Sequence, residues 1–393
     1  MNYNTIRLLV LLLIHTLSVN IYFLIDTEAY QKDIIFLISS FVILLNIKYI
    51  KIVFTREDKY IYLFAIYAVL STCFMSAFNF GQPFIYSLLA SRLLLIIVVM
   101  YISLNFLLKG INLKSLYKVA YVVSIFLVLF SFYLYFSKNL SILYIDTTYA
   151  YRLGAIRLTI APMTLITMLL FFYFHTKQNS LSYIPFIGLI SMLVVIDKTR
   201  SSLIAVILIL LIFSINLKDK KNFKKLYIFF LIVVLSIIFT NFESSIFQPF
   251  INMYEHTQNE VASGSGNVNV RAMEFAYFLK FLDIPSMIFG YGMDNHAYKY
   301  LYYSKFYLSD LGIFKVFYLH GIIGLLLFIG IYYQMYKQAM KSNTPLHQTG
   351  KALVLVQIFA PTLNITYHLE GIFLFFVIYI LIKQYNIRNN LNG

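Results

Sequence analysis

Polar positions are the exception along this chain. Apolar runs of membrane length follow one another from Ile6 to Tyr385, each closed by a short knot of Lys, Arg, Asp, Asn or Gly. A helix needs about 20 mostly apolar residues to cross a bilayer. The pattern predicts twelve such spans: 6–25, 33–48, 60–79, 84–108, 116–136, 154–175, 181–197, 200–217, 226–241, 312–336, 351–367 and 370–386. The runs are continuous and lack the short alternating segments of a membrane β-barrel. The expected fold class is therefore all-α, a polytopic integral membrane protein. One stretch departs from the pattern. Between 242 and 311 the chain passes through Asn, Ser, Gly and charged residues for roughly 70 positions, several times the length of a plain connection. Its aromatics and well-spaced charges predict a folded, partly helical loop on a single transmembrane domain covering 1–393.

Composition agrees. The chain is 61% hydrophobic and 12% charged, against about 25% charged in soluble domains. A net charge of +15 would suit nucleic acid, but the placement of the charge excludes that reading. The connections 48–59, 109–118, 175–180, 218–225 and 337–351, the tail with Lys383 and Arg388, and Arg7 together hold about 19 of the 31 Lys and Arg residues, the asymmetry of cytoplasmic loops. Both termini are therefore expected in the cytoplasm and the loop 242–311 outside. The 6–25 run is too long for the core of a cleaved signal peptide. Cys73 is the single cysteine and lies in an apolar run, so no disulfide framework is expected.

Charges inside apolar runs cost about 2.5–3.5 kcal/mol to insert and point to function. Arg92 sits in the fourth span, after Ser-Leu-Leu-Ala-Ser. Arg157 lies near the outer end of the sixth, beside Arg152, and Arg200 opens the eighth in Asp-Lys-Thr-Arg-Ser-Ser. Lys315 lies near the outer end of the tenth. Snorkelling of a long stem to the headgroups is the plainer reading. Arginines converging on the outer leaflet would instead form a site for a polyanion such as a diphosphate, which a guanidinium pairs with bidentately.

The loop carries its own signals. Asn-Val-Asn-Val-Arg271-Ala-Met-Glu274 opens a helix-like stretch, with Arg271 and Glu274 on one face. Phe-Gly290-Tyr-Gly292 makes a tight turn, followed by His296; then come Ser309-Asp310-Leu-Gly312 and Gly321-Ile-Ile-Gly324. This order, with Lys-Thr-Arg200-Ser-Ser opening a span, resembles the O-antigen polymerase and O-antigen ligase superfamily of bacterial inner-membrane enzymes. The local matches lie within 197–325, and the topology extends the likeness over most of the chain. Ligases of the superfamily typically carry a His about a dozen residues before the Gly-Ile-Ile-Gly. Here Ser309 and Asp310 stand at that distance, while His296 is further upstream and His320 directly precedes Gly321. The Ser-Asp form resembles the polymerase branch.

The resemblance implies transfer of a growing glycan from undecaprenyl diphosphate to an incoming lipid-linked repeat unit on the outer face. Arg200 and Arg271, with Arg92 and Arg157 behind them, would hold the diphosphate. Asp310, then His296, then Glu274, would serve as general base. No cofactor or metal is implied; Asp26-Thr-Glu28 is the nearest approach to a carboxylate cluster outside the spans. The implied partners are the lipid-linked oligosaccharide, membrane lipid, a chain-length regulator and a flippase. Plainer readings stay open: an Arg271–Glu274 ion pair within the loop, Asp310 as a helix cap, His296 as a surface histidine. Two other functions also stay open, a ligase-type glycosyltransferase and a flippase or transporter of lipid-linked oligosaccharide.

Overall fold

The computed structural model describes residues 3–19, 28–52, 55–137, 151–152, 155–156, 161–197, 267–293, 311–359 and 369–391, with Val206, Ile207, Ile209, Leu210, Ile212 and Phe213. These residues are overwhelmingly helical. In chain order the helices are α1 (Tyr3–Ser18), α2 (Glu28–Leu45), α3 (Lys59–Phe80), α4 (Phe84–Ala90), α5 (Arg92–Leu108) and α6 (Leu113–Ser137). They continue with α7 (Pro162–His175), α8 (Tyr183–Met192, running into a π turn at Leu193–Asp197), α9 (Asn267–Leu279) and α10 (Ile284–Phe289). The last three are α11 (Ile313–Ala339), α12 (Pro345–Phe359) and α13 (Leu369–Leu391). The only strands among the described residues are β1 (Tyr151–Arg152) and β2 (Ala155–Ile156), paired antiparallel.

Among the described residues, four helical stretches are long and apolar enough to cross a membrane: Arg56–Phe80, Leu113–Ser137, Ile313–Ala339 and Glu370–Asn389. A fifth is counted if α4 and α5, bent by 52° at Ser91, form one broken span. Shorter apolar helices lie at Asn4–Ser18, Pro162–His175 and Ser180–Ile196. Most of these helices overlap expected apolar runs, but α9 and α10 lie in the expected loop 242–311, α12 starts six residues ahead of the expected 351, and the expected span 226–241 and most of 200–217 lie outside the described residues. Residues 84–108 are not one straight helix: the Ser91 hydroxyl bonds back to Leu88 O at 2.9 Å, drawing on the carbonyl row as mid-helix serines do. The helix expected from 154 begins at Pro162, whose fixed φ and missing N–H suit a first helical position. The short β1–β2 ladder precedes it. The helix expected from 33 begins earlier, at Glu28.

Contacts sort the connections into two ends. At one end Arg7 donates to Lys109 O (2.6 Å) and Phe106 O (2.9 Å), Lys341 lies 3.6 Å from Glu57, and Asn179 donates to the Tyr117 hydroxyl at 3.2 Å. At the same end Lys383 pairs with Asp58 at 2.5 Å. The lysine-rich connections thus meet at one end of the bundle. The core runs between α5, α7 and α13, where Tyr101, Phe172, Phe174 and Tyr379 are almost wholly buried.

Candidate functional site

At the opposite end, part of the long loop is folded against the bundle. Asp283 caps α10 by accepting from Ser286 N at 2.8 Å. Helix α10 then ends at Gly290, with φ 98° and ψ 162°. Helix α11 is interrupted at Gly321, with φ 66° and ψ −172°. Both conformations belong to a region open essentially to glycine alone. The two glycines meet. A Cβ on Gly290 would strike Leu319 O and the His320 backbone, and one on Gly321 would strike Ile288 O and Gly290 N. Backbone therefore lies directly on backbone, and Tyr291 N and Gly292 N donate to Tyr318 O and Leu319 O at 2.7 and 3.2 Å.

The C-terminal end of α3 completes the clamp. Ser76 Oγ donates to Met293 O at 2.8 Å and accepts from Met293 N at 3.0 Å. Asn79 donates to Tyr291 O at 2.9 Å, and the Tyr67 hydroxyl to His320 O at 3.2 Å. Helix α9 covers the start of α11 with aromatic contacts, Phe275 on Phe314 (4.4 Å between ring centroids) and Phe278 on Tyr318 (5.1 Å). Met293 and Leu311 both pack on the cluster of Phe278, Tyr318 and Leu319. Met293 and Leu311, the described residues on either side of 294–310, thus lie at one cluster.

Among the candidates from the sequence, Glu274 sits on α9, four residues before Phe278, and is 2% exposed. Arg271 occupies the position one turn before it on the same helix. Arg92 is exposed and stands at the first position of α5, just past the bend. Sixteen residues of helix separate it from Leu108, about 24 Å at 1.5 Å per residue. It is thus at a helix end rather than deep within a straight span. Asp310, His296, Arg200 and Arg157 lie outside the described residues. The N-cap position of α11 is Gly312, with no side chain capping it; Asp310 stands two residues before that position. His320 is fully buried, with its ring edge-on to Phe64 at 5.8 Å.

A second polar cluster was not singled out in the sequence. Glu370 Oε1 accepts from Thr164 N (2.6 Å) and from the Thr164 hydroxyl (2.7 Å). With its proton committed there, that hydroxyl accepts from His15 Nε2 at 3.0 Å. The carboxylate lies at the N-terminus of α7, where the helix dipole favours an anion. His15 and Glu370 are ionisable groups within expected spans, a signal available from the sequence. His15 lies inside the expected first span, and Glu370 is the first residue of the expected last one. This arrangement ties α1, α7 and α13 together, and its groups bond one another. No protein-family model matches the chain, and no curated protein matches it significantly.

Proposed function

We propose that the chain is a polysaccharide polymerase of the O-antigen polymerase and ligase type, acting in a bacterial inner membrane on undecaprenyl-diphosphate-linked glycan. In this reading it crosses the membrane twelve times, with both termini in the cytoplasm and 242–311 outside. One observation carries the proposal. The Phe-Gly-Tyr-Gly and Gly-Ile-Ile-Gly motifs, far apart in sequence, touch through Gly290 and Gly321. Met293 and Leu311, which flank the sequence holding His296 and Asp310, pack on one aromatic cluster, and Glu274 is buried on α9, the helix that supplies Phe278 to it.

In the proposed reaction a sugar hydroxyl of the incoming unit attacks the anomeric carbon of the growing glycan. The bond from that carbon to the lipid diphosphate breaks, and the hydroxyl proton passes to a base. Arg200 and Arg271 offset the charge growing on the diphosphate; Asp310 takes the proton, with His296 and Glu274 next in order. The test is the lipid-linked glycan that accumulates when the gene is deleted. Single repeat units on the outer leaflet support a polymerase. Full-length polymer held on its lipid supports a ligase, and units trapped inside support a flippase. Reporter fusions after Lys221 and after Gly266 test the orientation separately. An export-dependent reporter active at Lys221 and silent at Gly266 overturns it.

A further inference from the structure

A cavity of about 1000 Å³ lies between α1, α6, α7 and α13, at the top of the about 300–1,000 Å³ range of ligand pockets. Helix α6 packs on α8 and stands off from α1 and α13, which leaves the gap. The walls are apolar, with Leu12, Ala120, Val123, Met168, Phe373 and Val377 among them. Along α13 the cavity runs from Phe373 to Tyr385, a rise of about 18 Å. That is a little more than half of a hydrocarbon layer about 30 Å thick, the depth of one leaflet with its headgroup boundary. The inner end is closed by His15, whose ring stacks on Phe373 at 5.3 Å.

The other end has a different chemistry. It opens among the lysine-rich connections, beside Tyr117, Gln178, Asn179 and Thr344. Lys114 and Lys118 stand there one helical turn apart on α6, both exposed. Neither has an ion-pair partner among the described residues, and no Asp or Glu appears among the described residues that line the cavity. Basic pockets between membrane helices on the positive side of a protein hold anionic headgroups. The lower half of α6 thus faces a one-leaflet apolar slot with two unneutralised cations at its rim.

We propose that this cavity binds one anionic glycerophospholipid, its acyl chains between α6 and α13 and its phosphate at Lys114 and Lys118. The proposal does not rest on the polymerase reading. It is a site at the end of the bundle opposite the docked loop.

The chain contains no tryptophan, so a single introduced one reports on lipid contact without background. Tyr121→Trp puts the reporter in the cavity wall, and Phe126→Trp puts it on the outward face of the same helix, where Phe126 is 66% exposed. Each is reconstituted in phosphatidylcholine vesicles with increasing brominated phosphatidylglycerol, which quenches tryptophan. Each lysine at an anionic headgroup strengthens binding about five-fold, so Tyr121→Trp is half-quenched at a mole fraction roughly 30-fold below that for Phe126→Trp. Brominated phosphatidylcholine gives no such offset. Lys114→Gln with Lys118→Gln returns the Tyr121→Trp curve to the Phe126→Trp curve. Coincident curves in brominated phosphatidylglycerol overturn the proposal, as does an offset that survives loss of both lysines. Should Tyr121→Trp fail to accumulate, Phe171→Trp on the facing helix gives the same reading.

Discussion

The ion pair between Asp58 and Lys383 is the most demanding interaction in the described bundle. Asp58 is fully buried, and the Lys383 side chain is 5% exposed. Oδ1 accepts from the hydroxyls of Tyr101 (2.7 Å) and Tyr379 (3.2 Å). Oδ2 accepts from Thr55 Oγ1 (2.7 Å) and from Lys383 Nζ (2.5 Å). The carboxylate is thus fully supplied with donors, but only one of them carries charge. Lys383→Met keeps the length of the stem and removes that charge, leaving an anion in a dry site among neutral hydroxyls. Breaking one side of a buried pair costs about 3–5 kcal/mol. Asp58→Asn leaves the ammonium stranded in the same way. Removing both charges leaves neither, so the double variant should lose less than the two singles together by about 1–3 kcal/mol. The chain supplies its own reporter, because Cys73 is the sole cysteine and is 1% exposed. A thiol-reactive fluorogenic dye therefore lights up as the bundle opens in detergent. Lys383→Met should lower the midpoint by roughly 10 °C, taking about 2–4 °C per kcal/mol. An unchanged midpoint refutes the reasoning, and so does a double variant whose loss equals the sum of the singles.

Other consequences are checkable. Gly290→Ala and Gly321→Ala each force a Cβ into backbone. Both should free the loop to protease cleavage, while Gly110→Ala, also at positive φ but facing open space, should not. The hydroxyl and backbone N–H of Ser286 hold the Asp283 carboxyl below its ordinary value of 3.8. Its support for α10 is therefore present above that value and lost as pH falls through the depressed one. Protection of 284–290 against hydrogen exchange, taken relative to the intrinsic rate at each pH, should fall along that descent, and Asp283→Asn should flatten the change. Replacing Arg200 or Arg271 by Ala should abolish polymer with the protein still inserted, and Lys should restore it only in part, since an ammonium lacks the fork; normal polymer length from both Ala variants removes them from the site. Asp310→Asn should cost a factor of roughly 10²–10⁴ in polymerisation if the residue is the base; a dead His296→Gln beside a normal Asp310→Asn reverses the ranking.

Helix positions were legible because a span is a local property. Twenty apolar residues announce themselves without reference to any neighbour, and α3, α6 and α11 lie close to where the runs put them. The bend at Ser91 was not legible, because apolar content continues through it from Phe84 to Leu108. The Ser91 hydroxyl bonds to Leu88 O at the bend, but Ser103 bonds to Met100 O in the same way within α5, so a serine alone does not mark the place. The late helical start at Pro162 had a readable mark in the proline itself.

The site was legible in its glycines and illegible in its partners. Two glycine pairs inside an otherwise bulky sequence imply close backbone approach, but nothing local says that they approach each other. That pairing takes the kink in α11, which turns the carbonyls of Tyr318 and Leu319 toward the N–H groups of Tyr291 and Gly292. The same limit hid Ser76 and Asn79. As small polar residues in an apolar helix they read as helix-contact residues, yet their hydrogen bonds go to a loop more than 200 residues away. A polar side chain buried in an apolar helix gains from finding a partner, as Ser76 and Asn79 do and, among the described residues, Thr72 on the same helix does not. Its presence can therefore be read from one strand of sequence, while the partner's identity depends on the whole fold. His15 and Glu370 follow the same rule through Thr164. Each was visible as an ionisable group among apolar neighbours, and only the meeting of α1, α7 and α13 shows what satisfies it.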